Sequence, residues 1–245
     1  MKGLNITSLG RSAQEFVERV LATHPAIAVF DCDGTLWSGD SGADFFYWEI
    51  EHALIPKAVA DAALARYDLY NRGQVDEATM CGEMVQIHAG LSERVIREAA
   101  EKFFSEVVEH RLFPEMRLLA QELAKAGCEL WAVSSTNNWV VEEGARRFGI
   151  PAERVLAACI EFDCEFASDR LIRIPSGDDK AVAIREVIGR PVDGVFGNSI
   201  HDLAMLLIAK HPWVVNPNDD LEKIAQERGW EIYWPAGTRG ARAAK

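Results

Sequence analysis

The chain has 245 residues, is 49% hydrophobic and carries a formal net charge of -12. That sign excludes a general nucleic-acid binder, which needs a basic face, but not an anionic substrate held by local cations. Length and hydrophobic content suit one large domain, or a domain with an insertion, able to bury a full core.

No run of about 18 or more apolar residues is present, so no membrane-spanning helix is expected. The N-terminal stretch has no apolar segment of the kind a signal peptide needs. Five cysteines (Cys32, Cys81, Cys128, Cys159 and Cys164) form no CxxC pair. An odd, scattered set in a chain of this size fits a reduced, cytoplasmic protein.

In chain order, a helix is expected over Ala13–Thr23 and a buried strand over Ala26–Asp31. Four helices follow, Ala43–His52, Lys57–Arg72, Asp76–Ala89 and Glu93–Glu109, punctuated by Pro56, Gly73 and Gly90. No strand signal interrupts them. The rhythm then changes to alternation. Helices are expected over Glu115–Ala126, Trp139–Phe148, Lys180–Ile188, His201–Ala209 and Leu221–Arg228. Strands are expected over Glu129–Ser134, Val155–Ile160, Val192–Gly197, Trp213–Asn216 and Glu231–Trp234, with a small hairpin over Glu161–Ile174. The tail from Gly237 to Lys245 reads as a frayed end.

Buried, non-alternating strands separated by helices indicate a parallel sheet covered on both faces. The expected fold class is therefore α/β, a Rossmann-like doubly wound sheet. Residues 40–111 read as an inserted α-helical cap, and residues 1–39 with 112–245 as the α/β core.

In such a sheet, ligands bind beyond the carboxyl ends of the strands. After the first strand come Asp31, Asp33, Gly34 and Thr35. After the second come Ser134, Ser135, Thr136 and Asn137. Lys180 stands at a helix start, and Gly197-Asn198-Ser199-Ile200-His201-Asp202 follows the fourth strand. These types suit metal-assisted phosphoryl transfer. A carboxylate can attack phosphorus, and a second can pass protons. A hard cation such as Mg²⁺ takes oxygen ligands and offsets repulsion between anions. Hydroxyls and helix-start N–H groups can hold phosphate oxygens. Lys180 in a first helical turn opposes the helix dipole, which points to an anion nearby.

The ordered set Asp31-Cys32-Asp33-Gly34-Thr35, helical insertion, strand ending in Ser134, Lys180 and Gly197–Asp202 resembles the haloacid dehalogenase superfamily. The layout is close to its phosphoserine-phosphatase-like branch, over nearly the whole chain. The resemblance implies a core strand order of 5-4-1-2-3 and a Mg²⁺-dependent phosphomonoester hydrolase. It makes Asp31 the nucleophile that becomes an aspartyl-phosphate, and Asp33 the general acid and base. Ser134, Ser135 and Lys180 would bind phosphate. Asp31, Asp33 (through its carbonyl), Asn198 and Asp202 would hold Mg²⁺. One position departs from the pattern: the fourth motif of such phosphatases usually begins Gly-Asp, and here Asn198 follows the glycine.

The implied partner is a small phosphorylated metabolite, with no nucleic acid and no membrane; oligomeric state is left open. Asp40 lies nine residues after Asp31, a spacing at which phosphoserine phosphatases meet the substrate's amino group. It suggests an amine-bearing ester, of the phosphoserine, phosphocholine or phosphoethanolamine kind. Trp37, Trp48 and Trp139 are aromatic candidates for a box around a quaternary ammonium, with plain packing between cap and core as the commoner role of such residues. Simpler roles stand beside these. Asp40 or Ser41 can cap a helix, Ser199 and Asp202 can form a capping box, and Arg66, Arg72 and His88 read as solvated cap residues. A phosphotransferase or mutase on the same core is an alternative activity. A non-catalytic phospho-ligand-binding protein, degenerate at Asn198, is another reading.

Overall fold

The computed structural model describes residue 6 and residues 9–238, so the tail expected to fray lies, from residue 239 on, outside the described residues. The chain opens with α1, Arg11–Ala22, and β1, Ile27–Phe30. Four helices follow: α2 (Ser41–Glu51), α3 (Lys57–Asn71), α4 (Glu77–Gln86) and α5 (Glu93–Phe103). Then come α6 (Pro114–Lys125), β2 (Glu129–Asn137), α7 (Asn138–Arg146), β3 (Val155–Asp163) and β4 (Phe166–Arg173). The last elements are α8 (Asp178–Ile188), β5 (Gly194–Gly197), α9 (Leu203–Leu207), β6 (His211–Val215), α10 (Asp219–Arg228) and β7 (Glu231–Tyr233).

The seven strands lie in the order β4-β3-β2-β1-β5-β6-β7. Every neighbouring pair is parallel except β3 with β4. The expected five-strand order is present as β3-β2-β1-β5-β6, lengthened by one strand at each edge. Alternation along β1 explains why the sheet needs two covers. Ala28 and Phe30 join a core built with α1, α6 and α7. Ile27 and Val29 join a second core with α8, α9 and α10. Successive side chains of a strand point to opposite faces, so both faces are apolar and both are buried.

Three expected elements differ in detail. The second strand runs past Ser134 to Asn137, because β3 continues beside it, with a register shift between Val133 and Asn137. The hairpin's first arm is the continuation of β3 itself. The helix expected to reach Glu109 changes to a π-turn over Phe104–Val108 and a 3-10 turn over Glu109–Arg111. There Phe103, Phe104 and Val108 are all fully buried.

The helices α2–α5 stand outside the sheet, over the carboxyl ends of β2 and β3. The β3–β4 hairpin ties them down by main-chain bonds. Gly90 N–H donates to Ala167 O, Ala167 N–H to Leu91 O and Glu93 N–H to Glu165 O, each at 2.8 Å. Among the described residues, no helix is long and apolar enough to cross a membrane.

Candidate active site

The end of β1 sets the first carboxylate. Asp31 N–H still donates to Phe196 O of β5 at 2.9 Å, so its backbone is held by the sheet. Its side chain is 5% exposed. Oδ1 accepts from Lys180 Nζ at 2.7 Å, and Oδ2 from Thr35 Oγ1 at 3.0 Å. Lys180 also donates to Asp202 Oδ1 at 2.6 Å. One buried ammonium thus joins two buried carboxylates. Burial pushes the Asp31 carboxyl up to about 7; the charge of Asp202 adds to this and Lys180 opposes it. Burial works against the Lys180 ammonium, but Asp202 and Asp31 hold its proton more tightly than usual.

The chain then turns at Gly34, where φ is +79°, a left-handed value that favours glycine. A Cβ there would stand 1.9 Å from Asn198 Nδ2. The Asn198 side chain therefore lies directly against the turn. Asn216, at the end of β6, donates from Nδ2 to Gly34 O at 3.2 Å.

Asp33 is held differently from Asp31. Its Oδ1 accepts from Ser41 N at 2.7 Å and from Trp37 Nε1 at 2.7 Å. Its Oδ2 accepts from Thr136 Oγ1 at 2.9 Å. Ser41 opens α2, so Asp33 also meets the positive end of a helix dipole.

The irregular stretch of β2 carries three hydroxyls, of which Thr136 reaches Asp33; register shifts of this kind re-aim side chains beside active sites. Ser134 is 2% exposed, and its Oγ accepts from Thr136 N at 3.2 Å. Ser135 Oγ donates to Glu77 Oε1 of α4 at 3.1 Å. Past β5, Asp202 Oδ2 accepts from Asn198 N at 2.8 Å and Ser199 N at 3.0 Å, and Ser199 completes the expected capping box. Asp202 is therefore engaged on both oxygens, by Lys180 and by its own loop.

Among the described residues, no three His, Cys, Asp or Glu side chains form a group able to hold a metal. The oxygen-bearing groups here are the carboxylates of Asp31 and Asp202, each already accepting hydrogen bonds on both oxygens, the Asn198 amide and backbone carbonyls. Oxygen throughout, this set fits a hard cation that keeps several waters.

Beside Thr136 opens a cavity of about 80 Å³. Asp40, Ser135 and Thr136 form its wall on the strand side, and Glu49, Tyr67, Tyr70 and Glu77 on the helix side. Asp40 also caps α2, accepting from Ala43 N at 2.9 Å, so the capping role is real. Burial, with Asp33's charge adding, raises the Asp40 carboxyl to about 6.

The expected tryptophan box does not form. Trp37 and Trp139 are 0% and 1% exposed, and neither lines the cavity. Trp37 packs edge-on against Phe104 at 5.5 Å, and Trp139 lies 4.9 Å from the His88 ring. Trp48 stacks on His52 at 3.9 Å and packs near Phe103, also outside the cavity. The aromatic wall comes instead from Phe45, Phe46, Tyr67 and Tyr70.

His88, expected at the surface, is fully buried. Its Nε2 lies 2.7 Å from Glu49 Oε2. Arg66 and Arg72 do sit toward solvent, paired with Glu83 and Asp68. Glu77 contacts His201 as well as Ser135, linking α4 to the loop that carries Asp202. Glu49, Glu77, Tyr67 and Tyr70 carry no local motif; their role in the wall follows only from how α2, α3 and α4 pack.

A family model described as haloacid dehalogenase-like hydrolase matches residues 28–207, a span that contains Asp31, Asp33, Ser134, Lys180, Asn198 and Asp202. The chain is 25% identical over 217 residues to a histidinol-phosphatase of Neisseria meningitidis, covering 84% of this chain and 97% of that one. It is 26% identical over 217 residues to a phosphoserine phosphatase of Mycobacterium tuberculosis, covering 84% and 70%. Among solved structures, a Bordetella pertussis protein of unknown function aligns with a TM-score of 0.72 and 24% identity, covering 84% and 97%. A phosphoserine phosphatase carrying a phospho-aspartyl intermediate analogue shares the fold, with a TM-score of 0.55 and 13% identity over 85% and 92%. With more than half of its length matched by the family model, the chain belongs to the haloacid dehalogenase-like hydrolases and is an enzyme of that class.

Proposed function

We propose that the protein is a Mg²⁺-dependent phosphomonoester hydrolase acting through an aspartyl-phosphate on a small phosphorylated metabolite, one that bears an amine. The observation that carries this reading is the contrast between Asp31 and Asp33. Asp31 is buried against an ammonium, as a nucleophile facing an anionic substrate needs to be. Asp33 is fixed by three donors at the edge of the cavity wall, where a proton carrier is needed.

In this reading an Asp31 oxygen attacks phosphorus, and the bond from phosphorus to the ester oxygen breaks. Asp33 gives its proton to the departing alkoxide. Asp33 then takes a proton from water, which attacks the same phosphorus and returns Asp31 to a free carboxylate. Ser134, Ser135 and Lys180 bind the phosphoryl oxygens. Bound Mg²⁺, held by Asp31, the Asp33 carbonyl and Asn198, with Asp202 behind them, would supply positive charge opposite the phosphoryl group. Residues 40–111 act as a cap over a core of residues 1–39 and 112–245, excluding bulk water when closed. The five free cysteines support a reduced, cytoplasmic site of action.

The test is phosphate release from an aryl phosphate with added Mg²⁺ and no alcohol acceptor. Wild-type protein should release phosphate, and Asp31→Asn should lose activity by orders of magnitude with an unchanged circular-dichroism spectrum. Release that depends on an added acceptor would point to a phosphotransferase. Near-normal turnover in Asp31→Asn would sink the mechanism.

A further inference from the structure

The cavity beside Thr136 carries three charged side chains in its wall, Asp40, Glu49 and Glu77, and all three are carboxylates. They come from the entry to α2, from its last turn and from the start of α4. Two already face cations of the chain. Glu49 is paired with His88, and Glu77 contacts His201. Asp40 forms no ion pair with a cationic side chain among the described residues; its carboxylate accepts from the backbone N–H groups of Ala43 and Gly42. The raised Asp40 carboxyl is in keeping with this. Tyr67 and Tyr70 of α3 stand in the same wall, and the Asp40 charge acts on both. Aromatic rings beside a carboxylate suit a cation.

We infer that the leaving group is a small amino alcohol that carries a cationic nitrogen and no carboxylate. Among the described residues, the wall offers no lysine, arginine or histidine. A substrate carboxylate would therefore enter a small enclosed space beside Asp40, whose charge no cation of the wall offsets, with nothing in the wall to pair it, and burying an unpaired charge is costly. A cation would relieve the repulsion around Asp40 and gain the tyrosine faces. Specificity is a difference in affinity, and here the repulsive element is as informative as the attractive one. This rests on the phosphatase reading above and narrows it. O-phosphoserine, which carries both an ammonium and a carboxylate, is selected against.

The experiment compares kcat/KM for O-phosphoethanolamine and L-histidinol phosphate with that for O-phospho-L-serine, using p-nitrophenyl phosphate as the reference. At least one amino-alcohol ester should exceed phosphoserine by about tenfold or more. Asp40→Asn keeps a good helix cap, and it should lower the ratio of amino-alcohol to aryl ester by about tenfold. Phosphoserine matching or exceeding both amino-alcohol esters would overturn the inference, as would an unchanged ratio in Asp40→Asn. If no ester, aryl phosphate included, releases phosphate, the phosphatase reading fails separately. Calorimetric binding of the same three metabolites to wild-type protein then decides the inference. Tighter binding of an amino-alcohol ester than of phosphoserine sustains it, and the reverse order rejects it.

Discussion

The indole Nε1 of Trp37 donates to Asp33 Oδ1 at 2.7 Å. Trp37 is fully buried, and its ring has little freedom: a Cβ at Gly144 would come within 2.4 Å of it. The tryptophan is therefore placed to aim the carboxylate proposed to carry the proton, and is too buried to meet substrate. Trp37→Phe removes the donor and keeps most of the ring. A hydrogen bond to a charged group contributes about 1.5–3 kcal/mol. Lost in the transition state, that is roughly a tenfold to hundredfold drop in kcat. Steady-state kinetics should show kcat falling with KM little moved. An unchanged kcat would remove Trp37 from the positioning of Asp33.

Among the described residues, Lys180 is the only cation paired with both Asp31 and Asp202, and all three side chains are nearly or fully buried. Lys180→Met keeps the length and removes the charge, leaving two buried carboxylates without a cationic partner. Breaking a buried pair in this way costs about 3–5 kcal/mol. Urea denaturation should show a much lower midpoint with an unaltered slope. A midpoint equal to wild type would mean that the carboxylates are neutral or otherwise compensated.

The Asn198 side chain lies against the Gly34 turn and is proposed to offer Mg²⁺ an uncharged amide oxygen. Asn198→Asp adds a carboxylate to the donor set without changing its size. Mg²⁺ should bind more tightly to the variant, and titration calorimetry reads this directly. Equal or weaker binding would take Asn198 out of the proposed ligand set.

The His88–Glu49 pair lies buried within the α2–α5 helices at 2.7 Å. Burial works against the His88 cation, but Glu49 raises its pKa above the ordinary histidine value. A folded-state value above the unfolded one stabilises the fold fully below about pH 6.5. That contribution is lost as pH rises through the folded value. His88→Gln strands Glu49 and should cost about 3–5 kcal/mol. Against a His88→Gln/Glu49→Gln double variant, which removes both titrating groups, the wild-type advantage in melting temperature should be larger at pH 6 than at pH 9. An advantage that is small or constant with pH would show that the pair is neutral.

How much of this was legible beforehand depended on whether the information was local. Periodicity, turn residues and the order of motifs belong to single segments, and they were enough for the α/β sheet, for the run of four helices and for putting Asp31, Asp33, Ser134 and Lys180 forward as candidates. The capping roles of Asp40 and Ser199 were local too, since each bonds within three or four residues of itself. Trp37, Trp48, Trp139 and His88 were misplaced because a side chain's burial depends on what packs against it from elsewhere. Trp37 meets Phe104 and Phe148, and His88 meets Glu49 across 39 positions of chain. The cavity wall was out of reach for the same reason. The amino-acid sequence by itself determined which chemical groups stand at the strand ends, because those positions follow from chain order. Only the packing of α2, α3 and α4 over β2 decided that Asp40, Glu49, Glu77, Tyr67 and Tyr70 share one cavity, because segments far apart in the chain meet there through long-range burial.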